Sequence, residues 1–198
     1  MNLERAFKYP FTDKNWIIKT LLGGIILIIP ILNFVLFGFV YKILKDIKEN
    51  RQGDTLPDFS EFAELFTKGL PLVAIIGAYT FLFILFWGIV ILLGLIPIIG
   101  CLAIILWPVL ILTLVVFPDL LGIALCRFTE HGDISEAFNM KSIFEEFKKK
   151  ANDYIILAVL NLLVSLVISV TFCFAPFLFF ISTIIFSKLY AETYWSVK

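Results

Sequence analysis

One carboxylate, Asp119, lies inside an apolar run, Val116-Phe117-Pro118-Asp119-Leu120-Leu121. A carboxylate at membrane depth is costly and by default marks an ion or proton role. Its surroundings also fit the end of a crossing. The 17 residues from Cys101 to Phe117 make about 25 Å of helix. Pro118-Asp119 is therefore expected at an interface, with Asp119 capping a following surface helix. Asn161, Ser165 and Ser169 recur at i, i+4 and i+8, a polar stripe whose spacing suits helix packing in a membrane or the wall of a substrate path. Asn33 follows Ile29-Pro30-Ile31-Leu32 and reads as a helix cap before it reads as a ligand contact. Lys188 and Glu192, four apart, read as a local pair.

Little other chemistry is available. Cys101, Cys126 and Cys173 have neither pairing nor metal-ligand spacing and read as small core residues. His131 is the only histidine, which leaves no histidine cluster for a metal. The chain contains no phosphate-binding loop, dinucleotide glycine pattern, Ser-His-Asp set, HExxH or CxxC. No cofactor, no metal and no enzymatic activity are expected. A formal net charge of zero gives no global electrostatic case for nucleic acid.

The elements that must hold these residues are membrane helices. Of 198 residues, 61% are hydrophobic and 16% charged, and the mean hydropathy is +1.00. Soluble domains are about 45–50% apolar and about 25% charged. No Asp, Glu, Lys or Arg occurs between Lys19 and Lys42, between Lys68 and Asp119, or between Asp153 and Lys188. Each gap is long enough to cross a bilayer, which takes about 20 apolar residues. The basic N-terminus (Arg5, Lys8, Lys14) ahead of an apolar stretch resembles a signal peptide, but no small-x-small cleavage site follows, and the segment is read as retained.

Each apolar stretch carries a proline: Ile29-Pro30-Ile31-Leu32-Asn33, Ile96-Pro97-Ile98-Ile99-Gly100 and Phe174-Ala175-Pro176-Phe177. Proline followed by Gly or Asn breaks and restarts a helix. The expected fold is all-α and integral to the membrane, with about five to six hydrophobic helices arranged as three proline-turn hairpins. They form one domain over 1–198: hairpin 1 about 16–50, an interfacial helix about 58–68, hairpin 2 about 70–128, an amphipathic loop about 133–150 and hairpin 3 about 152–195. Residues 20–41 fit either one kinked span or a re-entrant hairpin, the latter favoured by Gly23-Gly24, Pro30 and Asn33.

With three hairpins, the charged blocks 1–19, 42–68, 127–153 and 188–198 share one side. The positive-inside rule makes that side cytoplasmic and places the protein in the cell membrane. Asp58…Glu61, Asp133…Glu136 and Ser142…Glu145 are capping-box-like helix starts. The apolar faces behind them, Phe59, Phe62, Leu65, Phe66 and then Ala137, Phe138, Ile143, Phe144, Phe147, suit helices on the membrane surface or packed on the protein's own helix ends. Tyr190, Tyr194 and Trp195 suit an interfacial aromatic belt.

Tyr9-Pro10-Phe11-Thr12-Asp13-Lys14-Asn15-Trp16, Leu22-Gly23-Gly24, Ile29-Pro30-Ile31-Leu32-Asn33 and Phe37-Gly38 together resemble the opening of domain of unknown function 4013. This is a prokaryotic multi-pass membrane family frequent in archaea. Leu56-Pro57-Asp58-Phe59, Phe62, Leu65-Phe66, Gly69-Leu70, Ala137-Phe138 and Tyr190-Ala191-x-x-Tyr194 continue the resemblance over nearly the whole chain. It implies a multi-pass membrane protein and supplies no catalytic residue.

Two function classes follow. The first is a structural, self-associating or complex-forming membrane module, with lipids and a second copy or another membrane protein as partners. The second is a transporter or lipid-handling protein with a cavity at the broken helices, lined by Asn33, Asp119 and Asn161–Ser165–Ser169.

Overall fold

The computed structural model describes residues 2–49, 56–94 and 97–196. Ile96, in the second proline motif, falls outside them, as does the side chain of Cys101. The described residues are all-helical. In chain order the α-helices are α1 (Leu3–Lys8), α2 (Trp16–Ile28), α3 (Asn33–Lys48), α4 (Phe62–Gly94), α5 (Pro97–His131), α6 (Met140–Lys149), α7 (Ala151–Val170) and α8 (Ala175–Trp195). Four helices are long and apolar enough to cross a membrane, in Phe59–Gly94, Ile111–His131, Ala151–Val170 and Ala175–Trp195. With 13 and 16 residues, α2 and α3 are about 20 and 24 Å long, short of a 30 Å hydrocarbon core.

Prolines act in two ways. Pro30 opens a 3-10 turn, Pro30–Leu32, that separates α2 from α3. Pro97 and Pro176 stand in the first turns of α5 and α8, where a missing N–H costs nothing. Pro71, Pro108 and Pro118, by contrast, lie within continuous helices. Residues 58–68 therefore do not form a separate surface helix. Asp58 accepts from the Ser60 N–H and starts a 3-10 turn, Phe59–Glu61, that leads directly into α4. No helix break follows Pro118 either. The cap of α6 is Asn139, accepting from the Ser142 N–H, instead of Ser142.

Packing concentrates at the charged ends of the helices. There α3 is enclosed, with Val35, Leu36, Phe39, Val40, Ile43 and Leu44 buried. It meets α4 through two glycines: a Cβ on Gly38 would lie 1.8 Å from the Leu65 carbonyl oxygen, and one on Gly69 would lie 1.7 Å from the Phe34 carbonyl oxygen. Lipid is as apolar as leucine, so helices in a bilayer associate through such close backbone approach. Gly23 and Gly24 do not break α2. They seat the rings of Phe180 and Phe177 from α8, which a Cβ would meet at 2.3 Å in each case.

Cross-links at this end are polar. Lys48 of α3 donates to the carbonyls of Thr129 and Glu130 at 3.1 and 2.8 Å, and Lys150 donates to that of Thr193 at 3.0 Å. Each places a cation on the negative end of a helix dipole, at α5 and α8 respectively. α5 closes on Gly132 at φ 74°, the left-handed position that glycine fills without strain. A buried knot joins the N-terminus to the segment before α4. Asp13 and Lys19 pair at 2.8 Å. Asp13 accepts from the Leu56 N–H at 3.1 Å, and Lys19 donates to the Leu56 carbonyl at 2.8 Å.

Candidate functional site

Asp119 is fully buried within α5, twelve residues before that helix ends at His131, and so caps nothing. The Tyr190 hydroxyl, from α8, donates to its Oδ1 at 2.8 Å. Its Oδ2 is buried without a hydrogen-bond partner. Gly122, one turn along, has no side chain and leaves room for the tyrosine ring, which a Cβ there would meet at 2.7 Å. The Asn161 side chain of α7 lies close to the Tyr190 hydroxyl. Two of the five candidate polar residues, Asp119 and Asn161, thus meet through a tyrosine that the sequence assigned to an aromatic belt. That belt does not form as expected, since Tyr190 and Tyr194 are both buried and the Tyr194 hydroxyl donates to Glu130 at 2.6 Å.

Of the other three candidates, Ser165 reaches this centre only through Asn161, and Ser169 and Asn33 stand apart from it. Ser165 and Ser169 are exposed. Ser165 lies 3.4 Å from Asn161 Oδ1, and Ser169 donates to the Leu166 carbonyl at 2.8 Å. Asn33 is the first residue of α3 and makes no cap; its Oδ1 is buried without a partner. The polar cavity expected at the broken helices is therefore not formed by these residues. The Lys188 ammonium lies 3.8 Å from the centre of the Tyr9 ring. Of the cysteines, Cys126 is buried and Cys173 is exposed, so only the former is a core residue.

Elsewhere the structure holds an apolar cavity. A groove of about 530 Å³ runs between α4 and α5. Its walls include Tyr79, Phe83 and Phe86 of α4 and Leu112, Val116, Phe117 and Leu120 of α5. Phe83 and Phe117 meet at 4.5 Å between ring centres, their planes tilted by 37°. At about 100° per residue, Asp119 points roughly 90° around α5 from the middle of this wall. One helix thus lines the groove with one face and holds the polar centre with another.

The floor of the groove comes from Phe138, Met140 and Phe144. Two anchors hold that segment. Tyr79 donates to the Ala137 carbonyl at 2.7 Å and stacks on Phe138 at 5.5 Å. Arg127 donates to the Glu136 carbonyl at 3.2 Å and pairs with the Glu136 carboxylate. Ala137 and Ile143 are buried, so this loop packs on the helix ends, while Phe138 and Phe144 are 38% and 44% exposed toward the groove mouth. Lys148 lies one turn beyond Phe144 on α6, and Lys141 beside Met140. The amphipathic pattern of α6 is legible locally, but nothing local announced that its partner would be Tyr79.

A family described as "Protein of unknown function (DUF4013)" matches residues 21–177. No curated protein and no solved structure matches the chain.

Proposed function

The chain belongs to the DUF4013 family, whose description assigns no activity, and from the geometry we propose that it is a non-enzymatic lipid-handling membrane protein that holds an acyl chain between α4 and α5. The observation that carries this reading is the groove. It is lined almost wholly by apolar side chains, is open at its side, and is floored by an amphipathic helix bearing Lys141 and Lys148. An acyl chain lying against Phe83, Val116 and Phe117 brings its headgroup to α6, where the lysines complement an anionic phosphate.

This reading takes the three proline motifs as hairpin turns, with α2 and α3 entering and returning. Both are too short to cross alone, and α3 is satisfied by packing on α4 and α8. The charged blocks then face the cytoplasm. A photoactivatable phospholipid tests the groove. In vesicles, cross-links are expected at Phe83, Val116, Phe117 and Leu120. An even spread over the exposed face of α7, from Ile155 to Val167, would contradict the proposal.

A second reading, self-association, draws on one observation. Beyond the groove α4 is exposed on nearly all sides, with Phe81, Ile84, Ile91 and Leu92 between 57% and 65% accessible. A second copy packing there would bury residues that otherwise face lipid. Cross-linking through a cysteine at Ile84 is expected to give a discrete dimer if this face is an interface, and only monomer if it is not.

A further inference from the structure

We propose that the pocket between α1 and α8 binds a phosphate group presented by a lipid headgroup. Its volume is about 370 Å³, and its lining includes Asn2, Glu4, Arg5, Lys8, Tyr9 and Lys188. Lys188 is 6% exposed yet lines this pocket, and its ammonium rests 3.8 Å from the centre of the Tyr9 ring. A buried ammonium is costly unless a ring face or an anion meets it. Arg5 and Lys8, on the opposite wall, are both exposed. Glu4 is the carboxylate in the lining and bonds Lys8 at 2.6 Å, so three cations stand against one anion. A guanidinium with two ammonium groups suits the several oxygens of a phosphate: the fork of Arg5 supplies paired donors and the lysines supply point charge.

Position identifies the source of the phosphate. Phe7 and Phe11, on the same short segment, are 38% and 46% exposed. Phe11 packs edge-on against Trp16, the first residue of α2, at 5.0 Å. Beyond it Ile17, Ile18 and Leu21 are exposed along that apolar helix. The pocket therefore opens where the chain passes from charged residues to apolar surface, the level at which lipid phosphates lie. None of its lining residues lines the groove between α4 and α5, so this inference stands or falls independently of the acyl-chain reading.

The test is calorimetric titration of the full chain in neutral detergent with dioctanoyl phosphatidic acid and, separately, with inorganic phosphate. Beyond any lipid held in the groove, a saturable binding event is expected that weakens with salt and is at least tenfold weaker in the double variant Arg5→Gln, Lys8→Gln. Both side chains are exposed, so that variant keeps its fold. Lys188→Met is expected to lose binding as well, but its burial makes the double variant the deciding one. Inorganic phosphate binding as tightly as the lipid would overturn the headgroup assignment. Absence of saturable lipid binding, or equal affinity in the double variant, would overturn the site.

Discussion

Asp119 is fully buried and accepts a hydrogen bond from Tyr190. Removing that partner leaves a buried polar group unmatched, a loss of about 1–3 kcal/mol. Tyr190→Phe is therefore expected to lower thermal stability in detergent by that amount. Asp119→Asn keeps an acceptor for the tyrosine and should cost less; equal losses would show that the bond does not support the fold. At Asp13, burial raises the carboxyl, but the hydrogen bond from Lys19, the Asn15 N–H, the Lys19 charge and the Leu56 N–H outweigh it and hold the carboxyl below its ordinary value. Because the folded-state value is depressed, this stabilisation is fully present above the unfolded carboxylate range near 3.9 and is lost as pH falls through the lower folded value. Stability of the wild type should fall in that acid window more steeply than that of Asp13→Asn, and parallel profiles would rule the knot out as the cause. The sequence singled out Asp119 by its apolar neighbours, but its partner lies 71 positions away, and Tyr190 sits at a helix end where a belt is the local expectation. Gly122, three residues after the carboxylate, was the available hint, because it leaves room for a ring.

At the scale of elements, prolines were legible where they stand in a first helical turn, as at Pro97 and Pro176, or open a 3-10 turn, as at Pro30. Pro71, Pro108 and Pro118 were not, since neighbouring helices in a membrane hold a proline-bearing helix straight enough to continue. Glycines were harder to read. Gly23-Gly24 look locally like a break, yet they are contact points for α8. Gly38 and Gly69 show their role only once α3 and α4 cross, and a Cβ at either would strike backbone that cannot rotate away. Gly38→Ala and Gly69→Ala are each expected to cost about 1–3 kcal/mol or more. Gly77→Ala, on the same α4, meets nothing within 4 Å and should be neutral or stabilising by about 0.5–1 kcal/mol, the helical preference of alanine. Comparable losses at all three positions would mean that close approach is not what joins α3 to α4.

For the whole molecule, the helical membrane class follows directly from three long gaps without charge, and four helices have the length and hydropathy to span. How the helices diverge was not legible. With 33 and 35 residues, α4 and α5 reach about 50 Å, while α7 and α8, with 20 and 21, reach about 30 Å. Between the longer pair, the flank from Tyr79 to Phe86 lines the groove. Apolar periodicity cannot reveal this, because residues facing a groove and residues facing lipid have the same composition.

The most direct test of the lipid-handling account is native mass spectrometry of the protein extracted in its own lipids, comparing wild type with Val116→Trp. The indole fills the groove while α5 keeps its buried face toward α8. The account predicts a stoichiometric lipid on the wild type and its loss from the folded variant. Equal lipid retention by both, or a wild type that carries none, would contradict it.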